Sequence, residues 1–262
     1  MVQYMPEHYK EVSLLINADD LLLSKSIDEA IIELFAEGAI SNTTAMMCLP
    51  HSEQRLGELK STLDTSKIGV HLQLTSGTPL SRNAQSLTDK ASGRFVSKNM
   101  LQGTLPKEVE DEWRAQIDLF YRTVGHPPSH LDSHHGSHRL GHLLPIYLKL
   151  AAEYGIPVRG GNIEFQSKIS KSGICSTDFY IGDWTGQGLS CEYLVKQVIA
   201  HRSKLKPVSI EVAAHPSHFD VNLRNISSLN DARSNDFSEL MRLPKLLESV
   251  NGVNLFGYEA RR

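Results

Sequence analysis

Seven short apolar runs punctuate the chain, separated by stretches in which apolar residues recur at helical spacing. VSLLI at 12–16 has the length and composition of a buried strand. NADD follows, and then SKSIDEAIIELFAEG, where Ile27, Ile31, Leu34 and Phe35 share one helical face. Ser24 offers a capping hydroxyl before that helix and Gly38 a C-cap after it. TTAMMCL (43–49) and KIGVHLQLT (67–75) are the next expected strands, with a surface helix, SEQRLGELKSTL, between them. PSHLDSH (128–134), IPVRG (156–160), PVSIEVAAH (207–215) and VNLFGY (253–258) complete the strand set. A strong helix is expected over 106–125, with Pro106 near its start, Val109, Trp113, Ile117 and Phe120 on one face, and Gly125 after its end. Further helices are expected over 143–155, 189–203 and 234–250, the last broken or kinked near Pro244.

Strands that alternate with helices predict an α/β fold on a parallel sheet. At this length the natural closure is a TIM-like (β/α) barrel, seven-stranded here, as a single domain over 1–262. A doubly wound open sheet is the competing architecture, and the pattern alone does not separate them. The segment 76–106 interrupts the alternation: it is rich in Ser, Thr, Gly and Asn and shows little periodicity. A loop-rich insertion of that size is often functional, and it reads as a lid or as an oligomer contact such as a homodimer would use.

Composition narrows the function. The chain has 262 residues, 40% of them hydrophobic, enough for one sizeable core. The net charge of −3 and the lack of a long basic patch argue against a nucleic-acid partner. No apolar stretch reaches the roughly eighteen residues of a membrane span, and the start lacks a signal-peptide pattern. Cys48, Cys175 and Cys191 are far apart, so reduced thiols in a cytoplasmic protein are expected.

The candidate chemistry lies at strand ends. Asp19 and Asp20 follow the first strand, His71 lies in the third, and Asp132, His134, His135 and His138 end the fourth. Arg159 and His215 end later strands. In parallel α/β folds, active sites form at the carboxyl edge, so these groups converge. Two adjacent carboxylates can divide the work, one binding a metal and the other acting as a base; either can also serve as a helix cap. Four His within HLDSHHGSH (130–138), beside an Asp, point to a metal or catalytic cluster. Asp132 is placed to orient an imidazole. His71 reads equally as a ligand or as a buried structural His, and His215 as a general acid or a structural residue. Arg159 either pairs with an acid or orients a carboxylate or substrate oxygen. Glu211, His218, His51 and His126 read as structural or surface residues. G-x-S-x-G, H-E-x-x-H, Walker A and G-x-G-x-x-G motifs are absent, which leaves a serine or cysteine nucleophile little support.

In order along nearly the whole chain, INADD (16–20), TTAMM (43–47), GVHLQLTSGTPL (69–80), HLDSHH (130–135), STDFY (176–180) and EVAAHP (211–216) resemble the blocks of the YdjC-like carbohydrate deacetylases, which include chito-oligosaccharide deacetylase. The resemblance implies a (β/α) barrel and one divalent ion (Mg or Zn, with Mn, Co and Ni compatible) held by Asp20, His71 and His134. It implies Asp19 as the base that activates water and His215 as the acid that protonates the leaving amine, with Arg159 and Asp132 orienting Asp19 or a ligand of the ion. The implied reaction is removal of an N-acetyl group from an amino sugar or chito-oligosaccharide, with release of acetate. Alternatives are the same centre acting on another amide of specialised metabolism, or an inactive carbohydrate-binding homologue. The family has Phe-Gly where this chain has Leu21-Leu22, and a third His where it has Gly136. Both departures are expected to act on the pocket rather than on the ion.

Overall fold

The computed structural model of the chain describes residues 9–185, 188–227 and 229–261. Its centre is β1 (Val12–Leu21), a strand so apolar that both faces can be buried, as parallel sheets require. β6 (Val208–Ala214) runs along one side of β1 over seven residues. On the other side β2 (Asn42–Ala45) takes the upper half and β7 (Val253–Leu255) the lower. With β3 (Ile68–Leu72), β4 (Leu131–Ser133) and β5 (Phe179–Ile181), the parallel order is β4-β3-β2-β1-β6-β5. The sheet curls into a half-barrel, so the chain is an α/β domain of (β/α)-barrel type, and the doubly wound alternative falls away.

The helices obey the local signals. α1 (Lys25–Ala36) is capped by Ser24 and followed by Gly38 in the left-handed region. After α2 (Ser52–Leu59), α3 (Pro106–Val124) starts on Pro106 and stops at left-handed Gly125. α4 (Leu144–Tyr154) and α6 (Cys191–Ala200) fall where expected. α7 (Asn230–Glu248) begins four residues earlier than expected and runs through Pro244.

Three expectations need correction. IPVRG makes only one bridge, Val158 to Leu131. Pro157 has no N–H to extend the ladder and Gly160-Gly161 follow, so the pairing stops there. The place in the count goes to β5, which pairs with β6. An additional helix, α5 (Ile163–Ser172), follows Asn162, whose side chain caps it. Lastly, β1 does not end at Ile16 but continues through Asp19 and Asp20 to Leu21.

The segment 76–106 packs onto the barrel as an ordered flap. Leu87, Phe95 and Leu101 are buried, and Thr88 bridges Phe95. Two buried acids of α3 hold its backbone: Glu108 accepts the Ser86 N–H at 2.6 Å and Glu112 the Ser81 N–H at 2.8 Å.

Candidate active site

A bulge brings both aspartates to the mouth of the barrel. Between Ala18 and Leu21 β1 spends one residue more than β2 spends between Thr43 and Ala45, and Asp20 takes a left-handed φ of 70°. The two neighbouring carboxylates therefore point to different partners.

Asp20 faces two imidazoles. Its Oδ1 lies 3.3 Å from Nε2 of His71 on β3 and 3.1 Å from Nδ1 of His134, just after β4. The three ligand atoms lie within 4.8 Å of one another, and all three residues are buried. The other Asp20 oxygen receives Nη2 of Arg233 from α7 at 2.5 Å. On His71, Nδ1 bonds Asp132 at 2.7 Å, so when that nitrogen carries the hydrogen, Nε2 offers its lone pair toward Asp20. One carboxylate and two imidazoles suit a divalent ion and leave coordination positions free for water and substrate.

Asp19 belongs to a second, contiguous network. Arg159 clamps it with Nη1 and Nη2, both at 2.7 Å, while also reaching Asp132 at 2.9 Å and Glu211 at 2.6 Å. Asn17 donates to Asp19 at 2.8 Å, and Thr44 donates to Asp132 at 3.0 Å. Burial alone would raise the Asp19 carboxyl, but Arg159 outweighs it and holds the group well below the usual carboxylate range. His215, at the end of β6, turns Nε2 toward Asp19 at 3.7 Å. Burial pushes that imidazole below its ordinary value.

The charge of the site, like its shape, would accommodate a cation. Asp19, Asp20, Asp132 and Glu211 are four buried carboxylates facing two buried guanidiniums, Arg159 and Arg233. Burial would push the His71 ring down, yet Asp132 and Asp20 drive it up to about 10. A second donor grouping, Asp19 with His71 and Asp132, fits less well because Arg159 already occupies both carboxylates. A third, Cys191 with Glu192 and Glu239, is already occupied by Arg242, which bonds both glutamates.

The cleft encloses about 310 Å³. Leu23, Ile226 and Leu229 supply apolar wall; Lys98 from the flap, Arg139 and Tyr180 supply polar rim. A larger groove of about 490 Å³ along α5 and β5 lies away from the paired aspartates.

The structure thus brings together Asp19, Asp20, His71, Asp132, His134, Arg159 and His215. It sorts the remaining histidines differently from the expectation of one cluster. His130 stacks on Tyr258 at 4.1 Å and His138 on Tyr147 at 4.7 Å, both in the core. His135 lines the cleft and bonds Thr75. Leu21 and Leu22 are fully buried in the core, so of the two departures only Gly136 borders the cleft. Glu211 is a partner of Arg159 rather than an idle buried acid. Sequence reasoning missed Asn17 and Thr44, which stand inside the INADD and TTAMM blocks, and Arg233, which no local pattern marks.

The model of the YdjC-like protein family matches residues 13–247. A carbohydrate deacetylase of Halalkalibacterium halodurans is 32% identical over 244 residues, covering 91% of this chain and 99% of its own. A chitooligosaccharide deacetylase of Yersinia pestis is 32% identical over 217 residues, covering 81% and 85%. Among solved structures, a protein of Enterococcus faecalis V583 provisionally described as a cellobiose-phosphate cleavage protein superposes with a TM-score of 0.82. It is 28% identical and covers 96% of this chain and 99% of its own.

Proposed function

The chain belongs to the YdjC-like family, and from that membership and the geometry of its cleft we propose that it is a metal-dependent carbohydrate deacetylase acting on an N-acetylated amino sugar. The observation that carries this reading is the division of labour between adjacent aspartates: Asp20 faces two imidazoles, while Asp19 faces Arg159 and His215. Asp20, His71 and His134 would hold the ion. A divalent ion there would polarise the acetyl carbonyl and make water more acidic.

The rest of the reaction falls to the chain's own groups. Arg159 fixes both oxygens of Asp19 and keeps the carboxylate ionised, so it stands ready to accept a proton from the attacking water. Asp132 holds the His71 ring through Nδ1 and keeps Nε2 directed inward. His215 gives a proton to the leaving nitrogen as the C–N bond breaks. The products are acetate and a free amine. Lys98 of the flap lines the cleft, and Ser76 of the flap lies 3.3 Å from His134.

The test is acetate release from a panel of N-acetylated mono- and oligosaccharides and non-sugar N-acetyl amides, with chelated and metal-restored protein. Metal-dependent release from the sugars is expected. Release confined to non-sugar amides would move the substrate out of the carbohydrate class. Sugar binding without any release would make the protein a binding homologue.

A further inference from the structure

His215 has two ring nitrogens, and the structure gives them different surroundings. Nε2 opens on the cleft and Asp19. Nδ1 points away, to Oγ1 of Thr185 at 3.2 Å, in the stretch after β5. That hydroxyl is in turn 2.5 Å from Oδ2 of Asp236 on α7. The same Oδ2 accepts the backbone N–H of His215 at 2.9 Å. Asp236 is almost fully buried. Thr185 and Asp236 belong to neither aspartate network described above.

Hydrogen counting makes the arrangement directional. An ionised carboxylate only accepts, and a hydroxyl has one hydrogen to donate. Thr185 must spend that hydrogen on Asp236, which leaves its oxygen able only to accept from His215. Nδ1 is therefore the nitrogen that carries a hydrogen in the neutral ring, and Nε2 is left with its lone pair facing the reaction. Burial raises the Asp236 carboxyl to about 6, so it is mainly ionised at neutral pH and this count applies there.

We propose that Thr185 and Asp236 are positioning residues that lock His215 as the Nδ1–H tautomer, making Nε2 the atom that takes up and hands on the proton during deacetylation. The proposal rests on the deacetylase reading above. The proton removed from the attacking water by Asp19 ends on Nε2, and the N–H bond so formed breaks when the leaving nitrogen takes that proton. The C–N bond breaks in the same step, and His215 returns to its starting form. The Nδ1 hydrogen never leaves the ring, and as the ring becomes cationic its bond to Thr185 is backed by the Asp236 charge.

The experiment uses the full chain with Thr185→Val and Thr185→Ser. Thr185→Val keeps the shape and removes the hydroxyl. It is expected to lower kcat by about 10²-fold with little change in KM, and Thr185→Ser to restore most of that loss. With ¹⁵N-labelled histidine, and His215→Gln to assign the signal, the wild-type ring is expected to carry its hydrogen on Nδ1. Thr185→Val should lose that preference. Wild-type kcat in Thr185→Val, or a wild-type ring protonated on Nε2, would overturn the lock while leaving acetate release by the wild type intact. If the wild type released no acetate, the deacetylase reading would fail, and the tautomer would still decide whether Thr185 fixes the ring.

Discussion

At the scale of single residues, the adjacent aspartates make separable predictions. Asp19→Asn removes the acceptor of the water proton and turns an NH2 toward Arg159, but leaves Asp20, His71 and His134 as they are. Turnover is expected to drop by about 10²- to 10⁴-fold, the usual worth of a positioned base, with metal content unchanged by elemental analysis. A variant that kept full turnover would remove Asp19 from the role of base. His71→Ala makes the opposite split. It deletes one of three donors and leaves Asp132 without the imidazole it orients, so the purified protein should lose its ion as well as its activity. Retention of stoichiometric metal in that variant would reassign the donor set.

At the scale of elements, the flap is fixed where it leaves β3. Gly77 has φ +98°, and a Cβ there would run into the Cys48 carbonyl. Its neighbour Ser76, itself left-handed at φ 63°, touches His134. Gly77→Ala should therefore cost more than about 1 kcal/mol in urea unfolding, because Ala must either strain its own backbone or push away the Cys48 segment that follows β2. Gly103→Ala, later in the same segment, meets open space and has no positive φ, and should be near neutral. Equal effects of the two would mean that the contact between Gly77 and Cys48 is not tightly held. The same scale shows what the chain revealed in advance. Strands of four or more residues with clear apolar runs were legible, and so were the helices bounded by Ser24, Pro106 and Gly125. β5 was not: β4 and β7 are equally short but fell within PSHLDSH and VNLFGY, whereas Phe179–Ile181 lies between Asp178 and Gly182 in a stretch where no strand was expected. IPVRG looked like a strand because composition does not report where ladder partners run out. The convergence of the seven candidate residues was legible because six of them lie at or just beyond the carboxyl ends of β1, β3, β4 and β6, while Arg159 follows the isolated bridge at Val158. Arg233, Thr185 and Asp236 were not, because they arrive from α7 and a loop whose packing over the barrel mouth no local pattern encodes. The histidine cluster misled in part, since spacing along the chain does not tell a ring in the core from a ring in the cleft.

At the scale of the whole molecule, the site's charge would make binding of an ion depend on pH. His130 illustrates the simpler case. Burial lowers its ring to about 3, so between there and the unfolded value of about 6.5 the unfolded chain binds the extra proton. Stability should fall on acidification through that window, by up to about 1.4 kcal/mol per pH unit from this ring. His71 has the opposite sign. Burial opposes its charge, but Asp132 and Asp20 raise the ring to about 10, so its contribution to the metal-free protein is full below the unfolded value and is lost as pH rises through 10. An ion needs the Nε2 lone pair, and His71 must give up a proton to provide it. Asp132 and Asp20 hold the metal-free ring in its charged form, so binding should tighten as pH rises from 7 to 9, with release of a proton. Titration calorimetry of chelator-stripped protein, in buffers of different ionisation heat, reads both quantities. A binding constant flat across pH 7–9, with no proton released, would mean that the positive charge the buried carboxylates demand is not supplied by His71, and that the ion does not displace it.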